Sequence, residues 1–361
     1  MFTIFNVRPK ALNVGNDIIG QATRLFIQRA FRQVPNIITI PATNRYESHA
    51  TGGLTARMIY EINQYGHGVI VGGGNLYENG ELDVNLDALE ALAPPVMLFS
   101  LSMGRVYARG NRLVRRTDAM PDRTCRALNA KAAVSLARDE ATLAHLHGIG
   151  AKNAQLGGCP TLYLDALGDR LPALDADDRD LTLISVRNPA LMNVPLQVQS
   201  RVRGDLLAMT DFLRARGHER IRLLCHDYRD IPFAASFPGL AYQYVEDSLT
   251  LLALFRHCRL NVTYRLHSAL PCLAFGRPFI PISYDERALS AIATVGLGAW
   301  NIDMVLTKDV PGAVAERYGR LGDLDKLRRE AQGRWSELRS TLEAGFDTFA
   351  RAVGAYAEQW A

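Results

Sequence analysis

Residues 261–287 read NVTYRLHSALPCLAFGRPFIPISYDER. With Leu260 in front, LNVTY is a short apolar run rich in β-branched residues. SALPCLAFG is small, apolar and helical in character, and PFIPISY is a second strand. Strand, helix, strand within so few residues predicts a βαβ unit, and therefore parallel pairing. Arg265 and His267 stand at the joint between the first strand and the helix. Ser268 suits an N-cap, and Pro271 then falls in the first turn, where a missing N–H costs nothing. The free N–H groups and the helix dipole make such a terminus attractive to anions. In an extended strand end, residues i and i+2 point the same way, so Arg265 and His267 share a face while Leu266 turns to the core. A guanidinium and an imidazole at such a place suit a phosphate or carboxylate ligand that also needs a proton. The plainer alternative is a surface arginine and a capping histidine.

The same rhythm extends through the chain. FTIFNV leads to NDIIGQATRLFIQRAF, NIITIPA to LTARMIYEINQYG, HGVIVGGG to LDVNLDALEALA, and PVMLFSLSMG to TCRALNAKAAVSLARDEATLAHLHG, taken as helical throughout. The polar, acidic stretch GDRLPALDADDRD interrupts the alternation, which resumes at LTLISVR. The expectation is an α/β fold of two Rossmann-like, doubly wound domains facing a cleft. Residues 1–167 form the first, 168–180 a linker, 181–310 the second, and 311–361 C-terminal helices with apolar residues at three- and four-residue spacing. Such helices more often pack back across their own domains than lie on a membrane. Ligands of open α/β sheets sit beyond the carboxyl ends of the strands.

Composition narrows the class. The 361 residues are 48% hydrophobic and 22% charged, as in a well-folded globular protein. No apolar run approaches the ~18 residues of a membrane span. MFTIFNVRPK reads as a first strand rather than a signal peptide, so a cytoplasmic protein is expected. Cys125, Cys159, Cys225, Cys258 and Cys272 are scattered, without a CxxC pair, which speaks against disulfides and structural zinc. A net charge of +4 without a dense basic block gives no nucleic-acid groove. The excess of arginine over lysine suits phosphate or carboxylate recognition.

The strand ends are polar, charged or glycine-rich. They are Asn13, Gly15 and Asp17, then Gly72 to Glu78 (with Gly73, Gly74 and Asn75), then Ser102 to Arg105. In the second half they are Ser185 to Asn188, His226 with Asp227, Glu246 with Asp247, Arg265 to Ser268, and Ser283 to Arg287. The glycines permit close backbone approach to a ligand or simply a tight turn; they match neither GxGxxG nor a Walker loop. Arg187 either converges with Arg265 on one anion or pairs with a neighbouring acid. His226 and Asp227 are a catalytic pair or, more commonly for such a dipeptide, a turn closed by an Asx bond. His145 and His147 read as surface residues of a helix. No metal-ligand spacing, GxSxG or Cys–His arrangement is present.

These motifs together resemble the polysaccharide pyruvyl transferases. The resemblance is carried by NVGND, VGGGNLYE, SLARDEATLAHLHGIG, ISVRNP and, above all, TYRLHSALPCLAFGRPFIPISYDER, in family order from about Asn13 to Arg287. It implies a GT-B-like fold and transfer of the three-carbon unit of phosphoenolpyruvate to a sugar as a ketal. It implies that Arg265 and His267 are the family's active-site pair, and Arg187 its second anion-binding arginine. Glu78 stands where one branch of the family has Asp, and GGCPTLYLD replaces the family's usual Asp-Pro late in the first domain. In this reading His267 is the general acid that protonates the enol carbon, and Glu78 binds or deprotonates the sugar hydroxyl. Arg265, Arg187 and Ser268 hold the donor, while Asn13, Asp17, Gly73, Gly74 and Asn75 line the acceptor side or its loops. No metal or cofactor is needed beyond phosphoenolpyruvate as donor substrate. The acceptor sugar, whether lipid-linked, nucleotide-linked or polymeric, is left open, as is action at the inner face of the membrane. Two other classes share the pattern: a GT-B glycosyltransferase using a nucleotide sugar, and a non-catalytic binding protein of an envelope-polysaccharide pathway.

Overall fold

The computed structural model describes residues 1–9, 13–44 and 51–359. The first half runs β1 (Thr3–Arg8), α1 (Gly15–Ala30), β2 (Asn36–Pro41), α2 (Ala56–Tyr65), β3 (Gly68–Gly74), α3 (Leu86–Glu90) and β4 (Val96–Leu101). A small hairpin follows, β5 (Val106–Tyr107) and β6 (Leu113–Val114), then α4 (Asp122–Lys131), β7 (Ala132–Ala137), α5 (Glu140–Gly148) and β8 (Ala154–Leu156). The second half runs β9 (Thr182–Val186), α6 (Leu196–Arg214), β10 (Ile221–Cys225), α7 (Ile231–Ala235), β11 (Ala241–Tyr244) and α8 (Ser248–His257). It continues with β12 (Leu260–Thr263), α9 (Leu266–Ala274), β13 (Phe279–Ser283), α10 (Glu286–Thr294) and β14 (Ile302–Asp303). Two helices close the chain, α11 (Val310–Gly319) and α12 (Leu321–Glu358).

Each half is one parallel six-stranded sheet, ordered β2-β1-β3-β4-β7-β8 and β11-β10-β9-β12-β13-β14. Strands β3, β4, β9, β12 and β13 are buried along their whole length, as continuous apolar runs in doubly covered parallel sheets must be. Strand order reverses between β1 and β3 in the first sheet and between β9 and β12 in the second. Crevices open at such switch points. The expected linker, 168–180, falls between the two sheets, and its first three residues belong to a helical segment at Pro160–Arg170 that buries Leu162, Tyr163, Leu164 and Leu167.

One expectation fails. AAVSLA, taken as helix, is β7, paired in parallel with both β4 and β8. Its alanines favour a helix locally. Its apolar side chains alternate instead: Val134 and Leu136 face one layer, while Ser135 turns back to donate to Asn129 Oδ1 at 2.6 Å. Sheet pairing overrides the local preference, and the correction moves Arg138 and Asp139 from mid-helix to a strand end.

The last helix ties the halves together. Its first half lies on the second domain, where the Trp335 indole donates to Val295 O at 2.8 Å. Its second half buries Phe346, Phe349 and Val353 on the first. Phe346 stacks on Phe26 at 5.4 Å and meets Phe99 edge-on at 4.9 Å. The apolar stripe of α12 is thus covered by the protein's own domains. Among the described residues no helix is long and apolar enough to cross a membrane. Phe346→Ala is expected to cost about 3–5 kcal/mol in chemical denaturation, the usual range for emptying an aromatic core position. A cost below about 1 kcal/mol would show that the helix contributes little to domain cohesion.

Candidate active site

Two adjoining cavities, of about 230 and 130 Å³, occupy the cleft between the domains. Both are lined by Asn75, Glu81, Arg187, Arg229, Tyr284 and Arg287. The smaller adds Asn13, Arg138, His226, Arg265 and His267, and the larger adds Glu78, Asn79, Arg105, Arg116 and Asn193.

The smaller cavity sits on the β9/β12 switch point. Arg187 follows β9 and Arg265 follows β12, so adjacent strand ends bring them together. Between them lies Asp230, fully buried, from the turn before α7. Arg265 donates to Asp230 and, through Nε, to Val186 O at 3.0 Å. Arg187 Nη1 lies 3.5 Å from the other oxygen of Asp230 and donates to Asp227 Oδ2 at 3.0 Å. The two arginines meet on the protein's own carboxylate, so Arg187 pairs with neighbouring acids, the second of its two expected roles. Asp227 accepts from the Arg229 backbone N–H at 3.0 Å, which is the Asx turn. Burial raises the Asp227 carboxyl, but hydrogen bonds from Arg229 and then the charge of Arg187 hold it down at about 2.

Ser268 does not cap the helix. Arg265 is the last extended residue, and α9 begins at Leu266 with a break at His267. Ser268 lies fully buried behind the turn, its hydroxyl joined to Ser185 Oγ at 2.8 Å. It supports the turn from below and does not reach the cavities. Leu266 is half-buried between the core and the smaller cavity rather than wholly in the core.

The first domain completes the site from across the cleft. Val14 N–H donates to His226 O at 2.9 Å, which seats the start of α1 against the second sheet. A Cβ on Gly15 would lie 3.2 Å from both Cβ and Nδ1 of His267, so glycine there leaves room for the His267 side chain against α1. His267 Nε2 is buried with no hydrogen-bond partner among the described residues. Burial, then the charges of Arg138, Arg287 and Arg265, hold its pKa well below the ordinary histidine value. Arg138, 1% exposed, extends from the end of β7 and is oriented by Ser102 Oγ at 2.6 Å. Glu78 is buried, accepts from Gly104 N–H, and lies 3.4 Å from Arg287 Nη1. Burial lifts its pKa to about 7 even though Arg287 and Arg138 oppose the rise. The β5–β6 hairpin closes the far wall: Arg105 pairs with Glu286 and Val106 bridges to Asp285.

Of the residues singled out in the sequence, Arg187, Arg265, His267, Glu78, Asn13 and Asn75 line the cleft cavities. Gly73 and Gly74 do not. They lie within β3, where a side chain on Gly73 would strike Ile19 at 2.4 Å and where Gly74 has a φ of 108°, so Gly73 answers to packing and Gly74 to backbone conformation. Asp17 lies in a separate polar cavity and pairs with Arg8 at 3.0 Å. Arg138, Arg229, Asp230 and Arg287 were given no role from sequence. Arg138 was hidden by the helical reading of β7. Arg287 stands in a quoted strand-end motif, and only the fold shows that it faces Glu78.

A family model described as polysaccharide pyruvyl transferase matches residues 13–286. No curated protein matches the chain. Among solved structures, UDP-GlcNAc 2-epimerase of Methanocaldococcus jannaschii is similar at 12% identity, covering 89% of this chain and 92% of that one, with a TM-score of 0.54. MnaA of S. aureus, solved with UDP, is similar at 9% identity over 91% and 90%, with a TM-score of 0.55. The Neisseria meningitidis UDP-GlcNAc 2-epimerase is similar at 10% identity over 99% of both chains, with a TM-score of 0.52. Identities this low establish a shared GT-B-like fold alone. The family match takes in β2 through β13 and the turn that carries Arg265 and His267, and by it the chain belongs to the polysaccharide pyruvyl transferase family.

Proposed function

We propose that the protein transfers the pyruvyl group of phosphoenolpyruvate to two hydroxyls of a sugar in a polysaccharide or its precursor. The products are a pyruvate ketal and inorganic phosphate. The observation that carries this reading is the ring of arginines, Arg138, Arg187, Arg265 and Arg287, around the unpartnered Nε2 of His267 at the cleft. A donor with both phosphate and carboxylate needs such a cationic cradle, and its enol carbon needs a proton.

In the proposed sequence His267 Nε2 protonates C3 of the donor, and the electron deficiency appears at C2. An acceptor hydroxyl adds to C2 and gives up its proton toward Glu78, whose pKa near 7 suits proton exchange at neutral pH. The C2–O bond to phosphate then breaks, and phosphate leaves against Arg187 and Arg265. The second hydroxyl adds to C2 and its proton is lost, which completes the ketal. The scheme uses no further cofactor. Phosphoenolpyruvate is a cytoplasmic metabolite, so the reading implies reaction there, with any lipid-linked acceptor met at the inner membrane face.

The test is thermal stability with phosphoenolpyruvate against a panel of nucleoside diphosphates. A ligand bound only by the folded state raises stability by about 2.7 kcal/mol at a hundred times its Kd. The expected result is stabilisation by phosphoenolpyruvate, followed by acceptor-dependent phosphate release. Stabilisation by a nucleoside diphosphate alone would replace this reading with a nucleotide-sugar transferase.

A further inference from the structure

The buried carboxylate between the donor-site arginines has no place in the scheme above. Asp230 is fully buried, lines neither cavity, and so does not touch a substrate. One oxygen accepts from Asn188 N–H at 2.9 Å and lies 3.5 Å from Arg187; the other accepts from Arg265. It therefore spans the switch point from below, holding the guanidinium groups that follow β9 and β12. Without it, two like charges on adjacent strand ends would repel and splay.

Its charge also bears on the imidazole. The charged and titratable groups that share the smaller cavity with His267 are Arg138 after β7, Tyr264 and Arg265 on its own turn, Tyr284 after β13, Arg287 on α10, Arg187 after β9, His226, Asp227 and Arg229 after β10, and Glu81 after β3. Arginines predominate, and Arg265 is among those that disfavour the imidazolium. A site with still more positive charge would grip an anion more tightly and would resist protonation of His267 more strongly.

We propose that Asp230 is a positioning residue of the donor site. Shared between Arg187 and Arg265, it fixes both guanidinium groups and cancels one positive charge, so that the site binds an anion and His267 can still carry a proton. This rests on the pyruvyl-transfer reading for its catalytic half and on geometry alone for its binding half.

The experiment compares wild type, Asp230→Asn and Asp230→Glu in two measurements. Calorimetric binding of inorganic phosphate needs no turnover. The expected result is several-fold tighter binding by Asp230→Asn, with Asp230→Glu close to wild type. The second measurement is kcat and KM for phosphoenolpyruvate against pH. One unit of pKa is a tenfold change in the protonated fraction at pH above it. Asp230→Asn is expected to lose about tenfold in kcat at neutral pH without a rise in KM, to recover as pH is lowered, and to show its basic limb about one unit lower. Asp230→Glu restores the limb. Weaker phosphate binding with kcat lost equally at every pH would make Asp230 a purely structural residue and overturn the proposal. A variant that folds only when phosphate is added supports it, because the anion replaces the missing carboxylate. One that stays unfolded at saturating phosphate overturns it. Failure of wild type to turn over phosphoenolpyruvate would remove the functional reading while leaving the phosphate comparison as a test of Asp230.

Discussion

His267→Ala is expected to lower kcat by ~10²–10⁴-fold, the usual contribution of a positioned general acid. Donor affinity should change much less, because the arginines, not the imidazole, carry the anion. The free site keeps the imidazole neutral at pH 7, through burial and then Arg138, Arg287 and Arg265. A bound anion offsets those charges and raises the pKa, so donor binding at neutral pH should draw in a proton. Calorimetry in buffers of different ionisation enthalpy measures that uptake directly; wild type should show clearly more of it than His267→Ala, in which Glu78 is left to take up a proton. The sign of the rate dependence follows. Activity rises with pH as Glu78 loses its proton near 7 and falls as pH passes the donor-bound pKa of His267. Unchanged kcat in the variant, or proton uptake that it leaves undiminished, would remove His267 from the acid role.

Arg265→Ala should produce the largest loss of stability in the site, together with loss of the donor. The change leaves Asp230 fully buried, with Arg187 at 3.5 Å and the Asn188 N–H as its remaining partners. Breaking a buried pair from one side typically costs about 3–5 kcal/mol, because the remaining charge has lost its solvent and its partner. The midpoint of thermal unfolding should fall on the order of 10 °C. Stabilisation by phosphoenolpyruvate should vanish as well. Arg265→Lys should restore little of either, since one ammonium cannot serve Val186 O, Asp230 and a donor anion as a planar guanidinium does. A variant as stable as wild type would mean that the Arg265–Asp230 pair contributes nothing net, and donor stabilisation retained in it would place the anion elsewhere.

Much of the architecture was legible because its signals are local. Apolar β-branched runs alternating with amphipathic segments announced two parallel sheets, and the break at 168–180 lies between them. The turn at Arg265 and His267 was readable as a strand-to-helix joint with anion chemistry. Errors arose where local preference and tertiary context diverge. AAVSLA is alanine-rich and flanked by helices, yet sits between two strands that need a partner. Ser268 has the right residue type for a cap, but the helix starts earlier and the hydroxyl is used beneath the turn. Gly72 and Gly73 of β3 looked like part of a ligand cradle and are demanded by packing on Phe99 and Ile19.

The sequence by itself determined the elements, their parallel pairing and the residue types at the strand ends, since each follows from spacing over a few residues. Only the tertiary structure decided which strand ends are neighbours. That choice placed Arg187 beside Arg265, set Asp230 between them, and brought Arg138, Gly15 and Glu78 of the first domain to the cleft that His267 faces. The physical reason is that these side chains lie far apart along the chain and carry no mutual pattern. Strand order, and the burial of α12 across both domains, bring them within reach of one another.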